Sequence, residues 1–195
     1  MIKNPVRCIV AVFVLTTTSA IAQKVSDPKA SYIDVQQRRA QLAQTTDPRT
    51  KSAIASLNSC MALPVIQPPT GRMIIPPHYL SGGHGPTNPA EGPATRPYNN
   101  FEHRVTAGMN QWLVTGNKDE AKCAQEQIDL WAKANTLYDY DPKESSQAWF
   151  QVEWTLSSIA ISESVLLHEP SLDADEVKRG YPVDEQGRAP HRRLR

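Results

Sequence analysis

The sequence predicts an all-α fold, and three observations carry that expectation. Apolar residues recur at three- and four-residue steps from Phe101 to Leu167. Helix-capping residues, two of them paired with proline, stand where those stretches should begin. No segment alternates polar and apolar residues between hairpin turns, as a sheet strand would. With 195 residues and 39% hydrophobic content, the chain is long enough for one domain with a sizeable core.

The first 22 residues read as a signal peptide. Lys3 and Arg7 precede the apolar run Cys8 to Leu15, and small residues lead to Ala20-Ile21-Ala22. The run is too short and too rich in Thr to anchor in a bilayer. The mature chain is therefore expected to begin at Gln23, to be soluble, and to be periplasmic or secreted with no membrane attachment. Cleavage removes two cations and no anion, which moves the formal net charge of +1 two units to the negative side. No nucleic-acid partner is expected, because Arg188, Arg192, Arg193 and Arg195 form a short cluster without an aromatic platform. No cofactor and no metal site are expected either.

Asp27-Pro28 is an N-cap followed by proline at the first helical position, and Tyr32, Val35 and Leu42 would share one stripe from there to about Ala43. Asp47-Pro48 repeats the signal for a short helix running through Ile54 and Leu57 toward Cys60. Nine prolines and the run Gly82-Gly83-His84-Gly85-Pro86 then predict a long loop from Pro64 to Pro97. A loop of that length is either a functional lid or an extended wrap over the surface.

Asn100 is the expected cap of the next helix, in which Phe101, Val105, Met109, Trp112 and Leu113 share a face up to Gly116. Asp119 should open a second helix carrying Cys123, Ile128, Trp131 and Leu137, giving an antiparallel hairpin. A third helix from about Ser146 to Leu167 carries apolar residues on more than one face and should be largely buried, stopping at His168-Glu169-Pro170. After cleavage the cysteines left are Cys60 and Cys123. One bridge is the economical reading, and two separate buried thiols are the other.

Taken in order, these parts resemble a known family. A cysteine (Cys60) precedes a proline-rich stretch, then comes the helix Arg104-Val105-Thr106-Ala107-Gly108-Met109-Asn110-Gln111-Trp112-Leu113-Val114-Thr115-Gly116. Cys123 and Leu130-Trp131-Ala132-Lys133-Ala134 follow, and then Trp154-Thr155-Leu156-Ser157-Ser158. The set is similar to the mannuronate-specific alginate lyases of polysaccharide lyase family five, over roughly residues 55–179.

The resemblance implies part of an (α/α) toroid, a periplasmic location, a disulfide between Cys60 and Cys123, and a lid made by the proline-rich loop. It implies an anionic polysaccharide partner, alginate or polymannuronate, cleaved by β-elimination. Trp154 matches the tryptophan of the family's sugar-binding cleft, and His78, Tyr79 and His84 lie in the implied lid where a sugar acid can meet them. The bland alternatives are a core tryptophan and solvated loop residues.

Elimination requires a neutralised uronate carboxylate, a base for the C5 proton and an acid for the departing O4. The family supplies these from an Asn-Asn-His-x-Tyr-Trp motif, which does not follow Trp154 here. Asn99-Asn100-Phe101-Glu102-His103 is a decoy, since its histidine is displaced and it precedes the Trp112 helix. No catalytic residue is assigned.

Ser171 to Arg179 reads as a capped helix start, but from Gly180 onward periodicity ends in a polar, basic stretch. A tail read out of frame, leaving a truncated lyase without its catalytic half, accounts for this, because codons read one base later permit an amphipathic helix. A short natural protein with a disordered tail is the alternative. The expected division is a signal peptide over 1–22, amino-terminal helices over 23–59, the lyase-like domain over 60–179 and a basic tail over 180–195. Part of a toroid would leave apolar faces uncovered and favour self-association. The rival function is a non-catalytic helical module binding polysaccharide or peptide, although the Trp112 and Trp131 signatures have no second copy.

Overall fold

The computed structural model describes residues 31–172. The signal-peptide reading, the Asp27-Pro28 cap and the basic tail lie outside the described residues, as does the predicted helix start beyond Leu172.

Among the described residues the regular elements are helices: α1 (Val35–Ala43), α2 (Pro48–Ala55), α3 (Glu91–Thr115), α4 (Lys118–Ala134), a short 3-10 turn (Thr136–Tyr138) and α5 (Ser146–Leu166). A lone antiparallel bridge joins Tyr79 to Thr87. No described helix is long and apolar enough to cross a membrane.

Local chemistry sets most boundaries. Asp34 caps α1 by accepting from the Gln37 amide, so the helix begins at Val35 and Tyr32 stays outside it, 78% exposed rather than part of a buried stripe. Asp47 caps α2 through Thr50, with Pro48 in the first turn as predicted. Asn117, not Asp119, caps α4. Asn135 adopts a left-handed conformation that ends α4 and shifts Leu137 into the 3-10 turn.

The predicted loop is shorter than expected at its far end. Helix α3 starts at Glu91 and takes in Pro93, Pro97 and Asn100, so Asn100 is an exposed helix residue and caps nothing. Pro93 sits in the first turn, where amide donors have no helical partner. Pro97 does forfeit a helical bond, but the residues around it, Thr95, Tyr98 and Phe101, are buried, and their packing outweighs that loss.

Helices α3 and α4 form the expected hairpin, turned by Gly116 at φ 74°. They approach closely where Gly108 faces α4: a β-carbon there would lie 2.6 Å from the Glu120 carbonyl oxygen and 2.9 Å from Cys60 Cβ. The core lies between α3, α4 and α5. Phe101 stacks on Trp131 at 4.1 Å, Tyr98 meets the same indole edge-on, and Val105, Trp112, Ile128, Val152, Ile159 and Leu166 fill the remainder.

Helix α5 departs from expectation. It buries Ala148, Val152, Thr155, Ile159 and Leu166, but Trp149, Phe150, Trp154 and Ile161 are exposed. One face has no helix of the described residues against it.

Candidate functional site

The proline-rich arm leaves α2, crosses the hairpin and arrives at the start of α5. Its first part is fastened at every few residues. The disulfide Cys60–Cys123, with Cα atoms 6.1 Å apart, pins one end. Gln127 exchanges two hydrogen bonds with the Ile66 backbone, at 3.0 and 2.8 Å, and Trp131 Nε1 donates to Ile66 O at 2.7 Å. Further on, Met73 N donates to Asp139 O, and Ser145 Oγ both accepts from Ile75 N and donates to Ile75 O. Met73 and Ile75 point into the core while Ile74 points out.

Beyond Pro76 the arm folds on itself. Leu80 N donates to Pro86 O and Asn88 N to His78 O, and the glycines at 82, 83 and 85 carry positive φ. This tip places His78 opposite Trp154. Together with Glu91 on the first turn of α3, and Gln147 and Phe150 on α5, they line a cleft of about 380 Å³. Gln147, Phe150 and Trp154 follow three- and four-residue steps, so one helical face presents them together. Trp154 is 60% exposed. His78 Nδ1 lies 3.6 Å from Glu91 Oε1, and the Tyr79 ring packs edge-on against the His78 ring at 4.5 Å.

Behind Trp154 a polar network fixes α5 to α3. Glu102 accepts from Thr155 Oγ1 at 2.5 Å and from Ser158 Oγ and Gln151 Nε2 at 3.4 Å, and Gln151 also reaches Asn99 Oδ1. The decoy segment thus serves packing: His103 meets Asn58 at 3.0 Å on the surface.

Two other buried groups tune the frame. Burial pushes the Glu163 carboxyl up to about 8, with nearby Asp129 adding to the rise. Burial also works to raise Glu169, but hydrogen bonds from Ser171 and Trp112 Nε1 hold it below its ordinary value.

Of the four sugar-binding candidates, the structure brings His78 and Trp154 to one cleft. Tyr79 stands behind His78, and His84 sits on the exposed tip away from the lining residues. Sequence reasoning missed Glu91, Gln147 and Phe150. Spacing from Trp154 was enough to find the last two, whereas Glu91 was hidden by its assignment to the loop. Chemically, an exposed indole offers a flat apolar surface, and an imidazole, an amide and a carboxylate at its rim can exchange hydrogen bonds with hydroxyls.

No family model matches the chain, and no curated protein matches it. Solved structures do. Alginate lyase A1-III from Sphingomonas species A1 is 39% identical with a TM-score of 0.69, over 80% of this chain and 44% of that one. A tyrosine-to-phenylalanine variant of alginate lyase A1-III complexed with tetrasaccharide gives 39% and 0.73 over the same shares. A histidine-to-alanine variant, also complexed with tetrasaccharide, gives 38% and 0.74 over 83% and 46%.

This chain is a relative of the alginate lyases. It spans less than half the length of those it matches. The arrangement of its helices is that of the (α/α) toroid, and the disulfide implied by the family resemblance is present. In this lyase relative the cleft over Trp154 joins three separate pieces of chain, so it is a product of the fold and not of any one motif.

Proposed function

We propose that the chain binds an anionic polysaccharide, mannuronate-rich alginate, in the cleft over Trp154. The observation that carries this reading is the exposed Trp154 indole facing His78 across a space of about 380 Å³. Trp154 is the platform for a pyranose ring, His78 and Gln147 contact its polar groups, and Glu91 positions His78. Tyr79 supports His78 from behind, and His84 on the tip meets a longer chain. The solved relatives complexed with tetrasaccharide support a saccharide as the ligand.

The lyase relationship supports β-elimination as the chemistry of the whole family fold. For this chain we propose binding without turnover, because the family's Asn-Asn-His-x-Tyr-Trp motif does not follow Trp154. We further propose a leader over 1–22, amino-terminal helices over 23–59, the lyase-like unit over 60–179 and an out-of-frame tail over 180–195, in a periplasmic or secreted protein.

Calorimetric titration with mannuronate and guluronate oligosaccharides tests the reading. Binding of the mannuronate series is expected, weakened about tenfold or more in Trp154→Ala, which corresponds to about 1.4 kcal/mol. No ultraviolet absorbance from unsaturated uronate should develop. Equal affinity in the variant removes Trp154 from the site, and a rise in absorbance refutes binding without turnover.

A further inference from the structure

We infer that the cleft along α4 is a thiol–disulfide exchange site, in which Cys123 is the nucleophilic sulfur that reacts with a low-molecular-weight disulfide and Arg104 positions it. The inference is independent of saccharide binding.

The two cysteines differ in access and in surroundings. Cys60 is fully buried, while Cys123 is 8% exposed and lines a second cleft of about 380 Å³ with Arg104, Glu126, Asp129 and Lys133. Arg104 reaches across from α3. Its Nη2 donates to Cys123 Sγ at 3.2 Å, and its Nη1 donates to Cys60 O at 2.7 Å and to Leu63 O. One guanidinium therefore holds both the sulfur of one partner and the backbone of the other.

The remaining charges facing this sulfur are engaged elsewhere or offset. Glu126 lies 3.9 Å from Lys122, Asp129 accepts from Gln125 Nε2, and Lys133 adds a cation at the cleft. Glu120 accepts from Ser59 Oγ and Cys60 N, so its charge leans toward the Cys60 side. On α3, His103 is turned to Asn58. The arm from Met61 to Ile66 has no ionisable side chain. A thiolate is the reactive form of cysteine, and an adjacent guanidinium favours it.

In the reduced chain the Cys123 thiolate attacks one sulfur of an external disulfide RSSR, forming Cys123–S–S–R and releasing one RS⁻. The Cys60 thiol, after losing its proton to solvent, attacks Cys123 Sγ, which closes the protein disulfide and releases the second RS⁻. Two thiols are oxidised and one external disulfide is reduced to two thiols. The closed bond then ties the arm that carries His78 to α4.

In a Cys60→Ser variant, the rate of iodoacetamide alkylation at Cys123 should reach half its maximum at least about one pH unit below the ordinary thiol value of about 8.5. Adding Arg104→Gln should return the midpoint to that value, and Arg104→Lys should keep most of the shift. Separately, reduced wild-type protein mixed with oxidised glutathione and quenched in acid should carry glutathione on Cys123. A midpoint at or above the ordinary value, or one unmoved by Arg104→Gln, overturns the inference. So does glutathione found mainly on Cys60 or shared equally, and this mapping decides the matter should the variants fail to fold.

Discussion

The two halves of the proline-rich arm look alike in sequence and behave differently in the fold. From Cys60 to Ile75 the arm is bonded to α3, α4 and the turn before α5, and it sends Met73 and Ile75 into the core. From Pro76 to Ala90 its hydrogen bonds stay within the tip or go to the adjoining first turn of α3, where His78 also meets Glu91. Proline content therefore says where a helix cannot form and nothing about whether the segment is fixed. What fixes it is the supply of partners for its backbone, and those partners are residues such as Gln127 and Ser145, far away in sequence.

Removing the strongest fastening should separate the halves most. The disulfide spans 63 residues, so a Cys60→Ala, Cys123→Ala double variant should lose about 4 kcal/mol in urea unfolding. A loss below about 1 kcal/mol means that the remaining bonds hold the arm alone.

The frame behind both halves can be strengthened through Glu163. Its folded-state carboxyl lies at about 8 against an ordinary 4.5, so between those values the folded chain holds a proton that the unfolded chain has released. Stability should therefore fall as pH rises from about 4.5 to about 8 and level off above. Glu163→Gln should stabilise the fold at pH 7 by on the order of 2 kcal/mol, seen as a higher melting temperature, and flatten that slope. An unchanged slope assigns the pH dependence to other groups.

Smaller changes probe each half directly. Gln127→Ala deprives Ile66 N of its acceptor and should cost about 1–3 kcal/mol. On the tip, Leu80→Ser alters a residue that is 62% exposed and should stay within about 0.5 kcal/mol. Comparable effects from the two substitutions would erase the distinction between the halves.

The sequence made the hairpin legible because α3 and α4 bury one continuous stripe each, and Gly116 punctuates the turn. It misplaced the start of α3, because Pro93 and Pro97 argue locally against a helix that the burial of Tyr98 and Phe101 enforces. It overstated the burial of α5, since Trp149, Phe150, Trp154 and Ile161 read as core by composition, and only the positions of neighbouring helices show that they are not. The cleft was half legible. Trp154 and His78 stand out by residue type, but Glu91 joins them only after the arm has travelled the length of α4.

Amide hydrogen exchange, followed with and without a mannuronate oligosaccharide, tests the central claim most directly. Without ligand, protection is expected at Ile66, Met73 and Ile75, with fast exchange over residues 80–87. With ligand, slowing should appear around residues 78–91 and along the start of α5 through Trp154. Slowing confined to other surfaces, or none at all, contradicts a saccharide-binding cleft between the arm's tip and α5.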